Sequence, residues 1–187
     1  MTRAAAEPEC EVWLRANVRP AAVLAAVALV AGTALAVLAA LPSAPPVARL
    51  CAGVASVAAA LPLVALAAAA ARPRLVRRGR VLRVRLAPLL AHDVPLDVVE
   101  CFFLGSQRLP GGGDRDDLPT HRVGTIVMRI AERAAAWQAR PTFPAWGTWA
   151  EGAVVFDGRW CEPLSADLVR RLTARLVDAQ RRAGEAP

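Results

Sequence analysis

The chain has 187 residues, a formal net charge of +7 and no tyrosine. That length holds one modest domain and a further segment. The charge invites a polyanion partner only until it is mapped. Seven arginines fall within residues 72–86 and the rest of the chain is close to neutral, which argues against the basic domain face that nucleic-acid binding needs.

Arginine is the base throughout, apart from two histidines, and Ala, Gly and Pro are abundant. That usage suits a GC-rich, bacterial coding sequence. Cys10, Cys51, Cys101 and Cys161 are far apart and form no C-x-x-C pair. Metal-site spacing is absent, and reduced thiols in a cytoplasmic domain are expected. Residues 1–20 balance three arginines with three glutamates and read as a short cytoplasmic N-terminal segment.

AAVLAAVALVAGTALAVLAAL (21–41) carries no charge. As a helix it extends roughly 31 Å, close to the ~30 Å core of a bilayer. LCAGVASVAAALPLVALAAAAA (50–71) is a second such run, and PSAPPVAR (42–49) between them is a proline-rich turn. Residues 21–71 therefore read as a transmembrane helical hairpin. The nine Leu and Val residues of the first run are worth roughly −3 to −5 kcal/mol of insertion free energy. The second has seven, and Pro62 near its middle, so it leans on packing against the first. Ala28, Gly32 and Ala36, with Ala52, Ser56 and Ala60, repeat small residues at four-residue spacing, which lets backbones approach. Two other readings compete. A soluble hairpin lacks the polar face it needs. A signal peptide ending near Ser43–Ala44 has too long an apolar run, and a second run follows it.

Positive charge marks the cytoplasmic flank of a spanning helix. Arg15 and Arg19 precede the first run, seven arginines follow the second, and only Arg49 lies in the loop. Both ends are expected on the cytoplasmic side of the inner membrane. Arg72, Arg74, Arg77, Arg78 and Arg80 become membrane-interface candidates, each worth up to about 1 kcal/mol beside anionic headgroups. In VLRVRL (81–86), Leu82, Val84 and Leu86 alternate with Arg83 and Arg85. Period two predicts a strand with one apolar face and one arginine face.

Residues 72–187 form the expected cytoplasmic α+β domain. VPLDVVECFFLG (94–105) and HRVGTIVMRIA (121–131) read as strands, the latter with Val123, Thr125, Val127 and Arg129 on one face, and SQRLPGGGDRDDLPT (106–120) as a loop. Asp157–Gly158 suits a type I′ hairpin turn within 152–164. Ser165 suits an N-cap for a final amphipathic helix with Leu168, Val169, Leu172, Leu176 and Ala179 on its apolar stripe, pairs at Asp167–Arg171 and Asp178–Arg182, and a stop near Gly184. In 132–149, ERAAAWQAR suits a short helix and PTFPAWGTW a loop. Phe143, Trp146 and Trp149 there are either core plugs, an interfacial anchor or a partner-binding cluster.

Strands closed by one amphipathic helix, directly after a transmembrane hairpin, resemble the bacterial pleckstrin-homology-like domains of small membrane proteins. RLVRRGRVLRVRL, VPLDVVECFFLG and WCEPLSADLVRRLTARL carry the resemblance, which covers 72–183. The aromatic stretch 132–149 does not map onto that fold. The resemblance implies a small antiparallel β domain that binds or scaffolds without enzymatic chemistry. Its partners would be the lipid bilayer, and a protein partner or further copies of the chain.

The sequence contains no H-x-x-x-H, H-E-x-x-H, G-x-S-x-G or G-K-[ST]. No catalytic residue, cofactor or metal is expected. The competing expectation is a membrane-tethered enzyme with a site around His92, Asp93 and His121. Cys161 with His121 is a weaker nucleophile–base pairing.

Overall fold

The computed structural model describes residues 10–40, 45–108 and 122–185. The chain divides into two compact units. One is Asn17–Arg72; the other joins the segment up to Ala16 to everything from Pro73 onward.

The Asn17–Arg72 unit is a pair of helices, α1 (Val18–Ala40) and α2 (Pro46–Ala70). The side-chain carbonyl of Asn17 accepts from the backbone N–H of Arg19 at 3.1 Å, capping α1. Pro46 opens α2, where a missing N–H costs nothing. The least exposed positions recur every three or four residues: Ala21, Leu24, Ala28, Gly32 and Leu35 on α1, with Ser56, Ala60, Leu63, Ala67 and Ala70 on α2. The helices pack together along these stripes. Of the small residues expected there, Ala28, Ser56 and Ala60 take part, whereas a Cβ on Gly32 would meet no atom within 4 Å and Ala36 is exposed. The opposite faces stay apolar; Leu29 is 71% exposed, and Val30, Leu50 and Leu61 are similarly open. The Thr33 hydroxyl donates to the Leu29 carbonyl at 2.8 Å. Both helices are long and apolar enough to cross a bilayer.

The second unit is α+β. Its first sheet runs β1 (Cys10–Leu14), β2 (Leu75–Arg78), β3 (Val81–Val84), β4 (His92–Pro95) in spatial order, all antiparallel. The second contains β5 (Val99–Arg108), β6 (Arg122–Ile130), β7 (Gly147–Ala150) and β8 (Ala153–Asp157), ordered β5-β6-β8-β7. Helix α3 (Ala166–Glu185) closes the unit. One core joins them: Trp13, Leu75, Leu82 and Val84 from the first sheet, Phe102, Met128 and Phe156 from the second, and Leu168, Leu172 and Leu176 from α3.

Residues 10–14, set apart by sequence in an N-terminal segment, form an edge strand of this unit. Leu14 stands opposite Leu75, and Trp13 lies edge-on to Phe102. Beyond β1, the Arg15 N–H donates to the Glu162 carboxylate at 2.8 Å and the Glu162 N–H returns a bond to the Arg15 carbonyl. The helical pair is therefore inserted, along the chain, between two strands that pair with each other.

The hairpin turn also differs from expectation. Glu151 and Gly152, at φ 51° and 69°, make the two-residue turn between β7 and β8, the positive pair that type I′ requires. Asp157 instead caps a short 3-10 turn, Gly158–Trp160, by accepting from the Arg159 N–H. Gly147 in β7 has no alternative, since a Cβ there would sit 2.0 Å from the Val155 carbonyl oxygen. The short helix expected in 132–140 is a single 3-10 turn, Ala135–Trp137. In α3, the Ser165 hydroxyl accepts from the Leu168 N–H at 3.2 Å, as an N-cap should. Asp167 pairs with Arg170 rather than Arg171, and the helix continues through Gly184. The 106–120 loop lies mainly outside the described residues.

Candidate functional site

The first sheet has two chemically different faces because β3 alternates strictly. Leu82 and Val84 enter the core, while Arg83 and Arg85 face outward. The outer face carries a cross-strand row of Val12, Val76, Arg83 and Asp93. The Arg83 guanidinium grips Asp93 with two bonds, Nε to Oδ1 at 2.7 Å and Nη2 to Oδ2 at 2.6 Å. That hydrogen bonding holds the Asp93 carboxyl below the usual carboxylate range, and the positive fields of Arg83, Arg78 and Arg85 add to it. Arg83 thus binds the carboxylate while the charges of Arg78 and Arg85 act on it from further away, and the exposed Arg80 lies in the Gly79–Arg80 turn at the other end of β3 from His92. This face is positively charged.

The five arginines read from sequence as one interface go to different places. Arg72 is exposed and belongs to the helical unit. Arg78 and Arg80 are exposed on the first sheet and its turn. Arg77 points to the other side, where its Nε donates to the Gly79 carbonyl at 3.0 Å. It lines a cleft of about 300 Å³ with Glu11, Arg175, Asp178 and Arg182. Arg175 pairs with Glu11 at 3.2 Å and Arg182 pairs with Asp178, so most of that charge is internally balanced.

Arg74 corrects the expectation outright: it is 0% exposed and meets no headgroup. Its guanidinium lies 3.9 Å from the Trp146 ring centre and its Nε donates to the Trp160 carbonyl at 3.3 Å. Trp160 and Phe143 flank the same indole at 6.0 and 5.7 Å. Burial pulls its pKa down to about 10, with the nearby Cys161 opposing the shift. The side chain therefore remains a cation at neutral pH and ties the start of β2 to the aromatic segment.

The partner-binding cluster likewise divides. Trp146 and Trp149 are buried; Trp149 stacks on Trp137 and donates its indole N–H to the Trp137 carbonyl at 2.8 Å. Both rings are used internally: Trp149 through its bond to the Trp137 backbone, and Trp146 through the Arg74 guanidinium, its own Nε1 being buried without a hydrogen-bond acceptor among the described residues. Phe143 alone remains at the surface, 39% exposed.

His92 and Asp93 are neighbours on β4 and so point to opposite faces. His92 lies edge-on to Trp149 at 5.4 Å while Asp93 is bound to Arg83. The two cannot act on one reacting atom. His121 lies outside the described residues. Burial pushes the Cys161 thiol up to about 12, with Arg74 opposing, so it is no thiolate nucleophile at neutral pH. Among the described residues no group of three His, Cys, Asp or Glu side chains is placed to hold a metal.

One further feature adjoins the basic face. The β3–β4 connection, RLAPLLA (85–91), places Leu89 at 93% and Leu90 at 51% exposure. Two adjacent leucines after a proline, in a loop between short strands, were the available signal. The Phe143 N–H donates to the Leu86 carbonyl at 2.7 Å, bringing the exposed Phe143 to the base of this loop.

No protein-family model, curated protein or solved structure matches the chain.

Proposed function

We propose that the protein is a membrane-anchored binding or scaffolding module. Helices α1 and α2 cross the inner membrane, and the α+β unit, a pleckstrin-homology-like domain, is presented on the cytoplasmic side. It works without a cofactor and without nucleic acid. Its ligands are lipid headgroups or a protein partner.

The observation that carries this reading is the insertion of two charge-poor, apolar-surfaced helices between the paired strands β1 and β2. In water their open faces would leave many Val and Leu side chains unburied, at roughly 1.5–3 kcal/mol each; hydrocarbon removes that cost. Pairing of β1 with β2 requires residues 10–14 and 75–78 to share a compartment. An even number of crossings between them is then obligatory, independently of the arginine bias. Cleavage near Ser43 would excise β1 and the buried Trp13, which disfavours a removable signal. Two small antiparallel sheets closed by a C-terminal amphipathic helix support the pleckstrin-homology-like reading.

Alkaline carbonate extraction of membranes tests the anchor. The full chain should stay in the bilayer pellet. Its quantitative release into the supernatant would refute the anchor.

A further inference from the structure

We infer that the β3–β4 loop is a second membrane contact: Leu89 and Leu90 dip into an anionic lipid surface while the outer arginines of the first sheet engage its phosphates. The inference rests on the proposed anchoring and names the ligand of the α+β unit.

Three observations converge on it. Leu89 and Leu90 are unusually open for adjacent leucines in a folded unit, and Phe143 stands beside the loop base. β3 leads into the loop through Arg83 and Arg85; Arg83 is bound to Asp93, and Arg85, directly before the loop, donates to the Pro73 carbonyl at 3.3 Å. Arg85 and Leu89 are four residues apart, so at most about 14 Å separates the cationic shelf from the apolar tip. Apolar tips flanked by arginine match a bilayer boundary, where acyl chains lie beneath charged headgroups. A protein pocket would satisfy the leucines but has no need of the positive collar. Exposed leucines in water, by contrast, bring no stability to the loop.

The test uses full-length protein in nanodiscs of phosphatidylcholine alone or with phosphatidylglycerol. Backbone hydrogen exchange is followed in a peptide spanning 86–92. Exchange there should slow several-fold when phosphatidylglycerol is present. A Leu89→Ser, Leu90→Ser double variant should lose that protection. An Arg85→Gln variant, altered where β3 leads into the loop, should weaken its dependence on phosphatidylglycerol; glutamine keeps a donor for the Pro73 carbonyl. A photoreactive benzoylphenylalanine in place of Leu89 should become attached to lipid. Equal exchange in both nanodiscs, or attachment to a protein or second copy instead, would overturn the inference. A chain that resists carbonate yet shows no loop protection refutes the docking alone; a chain that carbonate releases refutes the anchor beneath it.

Discussion

Arg74 shows how a residue's role is set by what surrounds it. In sequence it is one of seven arginines in a basic run. In the structure it is buried against Trp146. The two partners are not equivalent on removal. Trp146→Ala leaves a cavity and a buried cation without its ring, and should cost about 3–5 kcal/mol. Arg74→Met keeps most of the volume and removes the charge, and should change stability by no more than about 1–2 kcal/mol. Thermal unfolding followed by circular dichroism separates the two. Cys161 adds a pH signature. Its thiol ionises near 9.0 when unfolded but only near 12 in the folded unit. Between those values the folded state holds a proton the unfolded state has lost, so stability falls as pH rises above about 9. Arg74 acts oppositely above about 10, where the folded guanidinium loses a proton the unfolded one keeps. A fall in stability between pH 9 and 10 that disappears in Cys161→Ala is the expected result. Asp93 should lose its charge only below the usual carboxylate range, and an NMR titration should show its pKa rising in Arg83→Met.

At the scale of elements, what was legible depended on distance along the chain. The alternation of β3 and the stripe of α3 repeat within a few residues, so their buried faces could be read directly. Strand β1 could not. CEVWL is short, and its partner LVRR lies beyond two whole helices. The sequence does not locate the I′ turn, because Glu-Gly and Asp-Gly both occur in the same segment. Asp157 is drawn into a 3-10 turn by its bonds to Arg159, a competition that periodicity does not reveal. Outcomes follow from this. Trp13→Ala should cost about 3–5 kcal/mol, because it unpins β1 from the core, readable by chemical denaturation. Gly147→Ala should be strongly destabilising, since its Cβ collides with backbone that has no room to move.

At the scale of the molecule, the run of arginines resolves into separate tasks. Arg74 is structural, Arg77 belongs to the cleft against α3, and Arg78, Arg80, Arg83 and Arg85 give the first sheet its outward charge. Sequence alone assigned them one task because charge density along a chain does not say which face of a strand each residue takes. The leucine loop is not legible in sequence for a related reason: its meaning depends on exposure. The whole-molecule account rests on two crossings placed between paired strands. Single-cysteine variants probed with a membrane-impermeant maleimide test it most directly. Cys10, exposed on β1, should react only after intact cells are permeabilised, whereas Ser43→Cys should react from outside. Labelling of both from the same side would contradict it.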